Sequence, residues 1–353
     1  MVVTVALTDL VGLELLLAAF AGGAFGASVG ALPSFSLAGL MVIVGELYEL
    51  GARTVGVEAL PVDITGSIAF GVVLGPHVAF GGGAAALAYA SKRGYIDTGF
   101  EYHQAKEVTR GLGNRPDVLV VGGLFGIVGY WVATTAATLG VPVDPVALGV
   151  VVSALVHRAV FGYSIIGAGP DRWFDMTPYE RATTEGDALA DGGRFSVEPW
   201  LPYQYRWSHV LTLGFVVGVL GAYVAYLTAS PFLAFGLSVV VLFLLNAGVA
   251  NIPVTHHISL PASTAVLALV DVPATELTPS LVAGAVPLWQ ALVVGAGFGI
   301  AGAFFGEVLQ RILYAHAETH LDPPAASIVV TSLLIGLLAM SGLFASSVWV
   351  PTP

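Results

Sequence analysis

The sequence predicts an all-α integral membrane protein made of two internal repeats. Each repeat reads as hairpin, broken helix, hairpin, giving eight to ten spans in all. Three observations carry this. The chain is 56% hydrophobic and 10% charged, with mean hydropathy +0.87, where a soluble domain is about 25% charged. Apolar runs of about 20 residues recur, each long enough to cross a hydrocarbon core of about 30 Å as a helix. A stretch that breaks a helix beside a histidine occurs twice, as G-P-H-V-A-F-G-G-G-A-A-A-L-A at 75–88 and P-V-T-H-H-I-S-L-P-A-S-T-A-V-L-A at 253–268.

In chain order, the first repeat spans 1–167, with apolar segments at 10–32, 34–50, 64–91, 117–140 and 144–167. A polar loop at 92–116 interrupts it. A connecting loop at 168–207 follows, and its run D-R-W-F-D-M-T-P-Y-E-R is amphipathic enough to be partly ordered on a membrane surface. The second repeat, 208–353, has apolar segments at 208–229, 231–250, 252–271, 286–314 and 324–348. No basic stretch precedes the first apolar run, since the first cation is Arg53, so a cleaved signal peptide is not expected.

The duplication rests on landmarks repeated in order. V-V-G-G-L-F-G-I-V-G at 120–129 matches V-V-G-A-G-F-G-I-A-G at 293–302 at seven of ten positions. Each is followed by an Asp-Pro helix start, Asp144-Pro145 and Asp322-Pro323, since proline suits a first helical turn whose N–H has no partner. Earlier, A-G-G-A-F-G at 21–26 parallels L-G-F-V-V-G at 213–218, and Pro33 parallels Pro231. Glycine spacings such as Gly22, Gly26 and Gly30 let helix backbones approach closely.

Nine of the twelve Lys and Arg residues fall in the loops 92–116 and 168–207. That bias puts both loops in the cytoplasm of a multi-pass cell-membrane protein. Broken elements that re-enter give eight spans and parallel repeats, whereas broken elements that cross give ten spans and inverted repeats. Re-entry is the reading slightly favoured here.

The breaks are also the expected site. Proline removes a helical hydrogen bond, and irregular backbone survives at membrane depth only where protein or a wet cavity supplies its partners. Paired breaks in two halves point to a transporter site. The candidate pathway residues are Gly75, His77 and Gly81 in the first break. In the second they are Pro253, His256, His257, Ser259, Ser263 and Thr264, with Glu14 and Glu307 as deeper carboxylates. Because hydroxyls accompany only the second break, His257→Ala is expected to impair flux more than His77→Ala. Glu46 and Glu49 read as interfacial side chains, and Asp144 and Asp322 as caps alone. His316, Glu318, His320 and Asp322 cluster in what reads as a solvated turn.

Residues 75–88 resemble the His-containing, Gly-Gly-Ala-rich segment of a membrane subunit of archaeal tetrahydromethanopterin S-methyltransferase, a sodium-translocating complex. The likeness covers about fourteen residues of 353. It implies sodium conduction through interrupted helices, with His77 on the matching segment. It implies no methyl transfer, because no corrinoid-binding motif is present.

No cofactor or enzyme activity is indicated by the sequence. There is no cysteine, no H-E-x-x-H, no phosphate loop, no nucleophile elbow and no basic patch for nucleic acid. The net charge of −11, gathered in segments such as E-G-D-A-L-A-D-G-G, suits the high-salt cytoplasm of a halophilic archaeon or bacterium. The expected function is a transporter or channel for a small ion, sodium or proton first. The alternative is a membrane scaffold within a larger complex; a membrane-embedded metalloenzyme using the histidines ranks third. The expected partners are the lipid bilayer, the ion and further copies of the chain, a trimer being favoured from the small-residue faces.

Overall fold

The computed structural model describes residues 10–56, 62–97, 104–167, 174, 176 and 204–353. The acidic run at 185–193 lies outside them, as does the amphipathic run 171–181 apart from Phe174 and Met176.

Twelve helices are named in chain order. They are α1 (Leu13–Val29), α2 (Ala31–Val55), α3 (Ala79–Lys92), α4 (Pro116–Thr138), α5 (Pro145–Phe161), α6 (Trp207–Thr228), α7 (Leu233–Val240), α8 (Phe243–Asn246), α9 (His256–Leu267), α10 (Pro279–Ala285), α11 (Leu288–Leu309) and α12 (Pro323–Met340). A π-turn, Ile64–Ala69, precedes α3, and another, Gln310–Tyr314, prolongs α11. Among the described residues there is no strand, only an isolated parallel bridge between Ala105 and Thr319. Among the described residues five helices are long and apolar enough to cross a membrane: α2, α4, α6, α11 with its π-turn, and α12. Apolar side chains such as Leu17, Phe215 and Val293 are 60%, 52% and 63% exposed, as lipid-facing positions would be.

Local chemistry sets the helix ends. Asp144 accepts from the N–H groups of Val146 and Ala147 at 2.8 and 3.0 Å, and Asp322 accepts from that of Ala325 at 2.7 Å. Each is followed by proline in the first turn, as the Asp-Pro motif predicts. Gly30, at φ 105°, separates α1 from α2 in a backbone conformation that side chains other than glycine's rarely adopt.

The two broken elements contain short helices. At about 1.5 Å per residue, α3 and α9 are about 21 and 18 Å long, well under a bilayer core. Both are almost wholly buried. Helix α3 packs on α1, α2, α4 and α5, while α9 packs on α6, α7, α11 and α12. Glycines make the closest crossings. Gly23 of α1 meets the backbones of Gly122 and Gly126 of α4, and Gly218 of α6 meets those of Gly295 and Gly299 of α11.

Among the contacts joining the N- and C-terminal halves are two helix pairings, α2 with α7 and its continuation α8, and α5 with α12. Both pairs run antiparallel. Gly39 faces Val239, Gly236 faces Val42, and Asn246 donates to Ser36 at 3.4 Å. In the second pair the N–H of Asp144 donates to Ser332 at 2.8 Å, while Ala154 packs with Leu321 and Ala326.

Candidate functional site

Each histidine-bearing break frees a backbone carbonyl. Pro261 has no N–H to give to the carbonyl of His257, four residues earlier. In the first half, Gly81 occupies the equivalent place, and its N–H goes to Pro76 at 2.9 Å, bypassing His77. The two freed carbonyls lie against glycines of the neighbouring long helices, that of His77 on Gly129 and that of His257 on Gly302.

Between the halves lies a cavity of about 1010 Å³. Helix starts converge on it. His77 and Phe80 come from the beginning of α3, Asp144 from α5, His256 from α9 and Asp322 from α12. Helix α2 contributes Phe35 and Glu46. The cavity extends to exposed residues of α2, where Arg53 pairs with Glu49 at 2.8 Å, side-chain exposures being 42% and 39%.

Its deep end is aromatic. Phe35 meets Phe80, Phe235 and His256 edge-on, with ring centres 5.9, 6.2 and 5.0 Å away. Phe70, Phe232 and Trp349 continue the wall toward the mouth. Glu46 accepts from Thr65 at 2.8 Å and from Ser230 across the interface. Asp144 uses only Oδ1 for its cap, and among the described residues nothing donates to its Oδ2. His77 and His256 are 4% and 3% exposed, and neither Nδ1 has a hydrogen-bond partner among the described residues.

Other candidates lie elsewhere. His257 sits behind the cavity, its ring against Gly306, beside a small void of about 20 Å³ that Glu307 also lines. Glu307 is buried in an ion pair with Arg311 at 2.6 Å and accepts from Gln310 at 3.0 Å. Ser259 receives a bond from Ser238 at 3.0 Å, Ser263 donates to Gly221 at 3.1 Å, and Thr264 donates to Leu260 at 2.9 Å. These hydroxyls serve helix packing and do not line the cavity. Gly75 and Gly81 are buried in the first break, Pro253 leads into α9, and Glu14 is exposed in the first turn of α1.

Three expectations are corrected. Glu46 does not stand free at a helix end: it is half-buried and bonded within the cavity wall. Asp144 and Asp322 do cap helices, but they also line the cavity, which their recurrence in both halves already hinted. The 316–322 turn is not solvated. Thr319 and His320 are 0% and 1% exposed, because Arg158 and the loop at 104–110 pack over them. Among the described residues no group of three or more His, Cys, Asp or Glu is placed to hold a metal ion.

Beyond the aromatic end of the cavity the packing is continuous. Phe80 meets His320 at 5.4 Å, His320 meets Tyr314 at 5.1 Å, and Nζ of Lys106 lies 4.6 Å from the Tyr314 ring centre. Arg158, fully buried, donates to the carbonyls of Ile165, Leu313 and Thr319 at 2.7, 2.7 and 2.9 Å and to the Thr319 hydroxyl at 2.9 Å. Composition gave no sign that this arginine would be buried.

Residues 5–353 match the model of a protein family described as a family of unknown function (DUF7973). No curated protein and no solved structure matches the chain.

Proposed function

We propose that this chain, which belongs to the family of unknown function DUF7973, is a transporter for a small ion carried as a cation. Sodium and the proton are the first candidates, sodium being the ion that the resemblance of residues 75–88 implies. The observation that carries the reading is the central cavity, walled by the starts of α3, α5, α9 and α12 and holding Asp144, Asp322 and Glu46. Carboxylates at membrane depth are costly, and they commonly mark ion routes.

The packing supports two inverted repeats, α1 to α5 without interruption and then α6, α7, α9, α11 and α12. Each short helix packs on the corresponding four neighbours, and the joining pairs α2 with α7 and α5 with α12 are antiparallel. On this reading Gly23 corresponds to Gly218, three residues from the register that the glycine motifs suggest. The contacts also favour broken elements that cross over ones that re-enter. Opposed repeats around a fixed site suit alternating access, in which one half rocks against the other. The Glu49–Arg53 end would then be the open one, and the Arg158–Thr319 bonds would close the cytoplasmic end.

Homo-oligomerisation, with a trimer favoured, belongs to the same reading. Gly284 and Gly297 face open space, where a second copy could pack closely. The acidic composition fits a cell membrane bounding a salty cytoplasm.

The test is uptake by proteoliposomes holding the purified chain alone, under imposed sodium and proton gradients. Transport predicts saturable uptake above empty vesicles for one of the two cations. Uptake no faster than in empty vesicles would favour the scaffold.

A further inference from the structure

Resting on the transport reading, we propose that the central cavity takes an organic cation, an alkylammonium group held between aromatic rings and carboxylates. Size is the first argument. At about 1010 Å³ the cavity falls at the top of the range for organic ligands, about 300–1,000 Å³. A dehydrated inorganic ion needs only a handful of oxygen ligands and no such volume.

Charge is the second. Four helix starts face the cavity, and each would present about half a positive charge. Those of α5 and α12 are already met by their own Asp144 and Asp322. Five carboxyl groups, Glu46, Glu49, Asp63, Asp144 and Asp322, line the cavity against one basic side chain, Arg53, so a cation is favoured over an organic anion. Arg53 does not reverse this, because Glu49 pairs with it.

The third argument is the lining itself. Asp144 Oδ2 receives no hydrogen bond among the described residues, and the residue is 8% exposed. A carboxylate oxygen left open on the cavity wall attracts a cation by charge alone, with no hydrogen bond needed. Phe35, Phe80 and Phe235, which meet edge to face and do not stack, line the same cavity. A cation over an aromatic face is attracted by the ring quadrupole. A weakly hydrated alkylammonium loses little by leaving water for such rings, whereas sodium would draw on the carboxylates alone.

The test is titration calorimetry on the purified full-length chain with tetraethylammonium. Pivalate serves as an anion of similar bulk, and sodium chloride holds the ionic strength constant. Saturable binding of tetraethylammonium, absent for pivalate, is expected. Phe35→Leu and Asp144→Asn should each weaken it at least tenfold, and asparagine preserves the helix cap. A variant that does not fold is replaced by Phe235→Leu, with the same loss expected. Sodium or proton uptake without tetraethylammonium binding would overturn this inference and leave the transport reading standing. Pivalate binding in its place would overturn the sign of the site. Absence of both uptake and binding would overturn both readings.

Discussion

The backbone carbonyl of His77 rests on Gly129 so closely that a methyl group there would overlap it. His257 and Gly302 stand in the same relation. Gly129→Ala and Gly302→Ala should therefore each destabilise the fold, by about 1–3 kcal/mol or more, as overpacking against main chain does. Gly51→Ala, exposed on α2 with nothing within 4 Å, should be neutral or slightly stabilising. Thermal unfolding of the three variants in one detergent decides this. Equal melting temperatures for all three would contradict the close packing.

The two aspartates separate capping from charge. Asp144→Ala should cost about 1 kcal/mol of stability through loss of the cap, whereas Asp144→Asn should cost little, because asparagine caps as well. Ion uptake should fall with both variants. Asp322 should behave alike. If Asp144→Asn keeps full uptake, Asp144 is a cap and nothing more.

For the histidines the expected order changes. His256 shares the cavity with His77, and His257 does not. His77→Ala and His256→Ala should lower uptake per folded molecule, while His257→Ala should mainly lower the melting temperature. Uptake measured beside unfolding distinguishes them. A selective loss of uptake in His257→Ala would restore the order read from the sequence.

Much of this was legible in the residues. Apolar runs located the long helices, Asp-Pro marked two helix starts, and Gly75-Pro76-His77 and Pro253 marked the irregular backbone before α3 and α9, whereas Pro261, read as a breaker, lies inside α9. The register of α1 against α6 was not legible, because glycines recur so often that several offsets look alike. Nor were the depths of Glu46 and Arg158. Those depend on distant segments: Thr65 and Ser230 bond Glu46, and Leu313 and Thr319 take up Arg158. No local pattern encodes a contact of that kind.

Arg158 should hold the cytoplasmic end closed. Lysine keeps the charge but cannot span the carbonyls that the guanidinium reaches. Arg158→Lys should lose about 2 kcal/mol or more, and vesicles carrying it and preloaded with the transported cation should lose it faster than vesicles carrying the wild type. Wild-type stability and tightness would contradict a closing role.

Sidedness tests the inverted arrangement. The chain has no cysteine, so single introduced thiols report cleanly. If the broken elements cross, Asn114→Cys and Glu276→Cys lie on opposite faces of the membrane. An impermeant maleimide should then label each from one side only, and not from the same side. Labelling of both from one side would return the architecture to re-entry and parallel repeats.

The claim that the cavity between the halves is the route itself is tested most directly by blocking it. Thr134 lines the cavity on α4, and Thr134→Cys is close to isosteric. Cation uptake by proteoliposomes carrying this variant is measured before and after full modification with a bulky maleimide. Uptake should fall to the level of empty vesicles, while the unmodifiable wild type is unaffected. Undiminished uptake with the thiol fully modified would contradict the account.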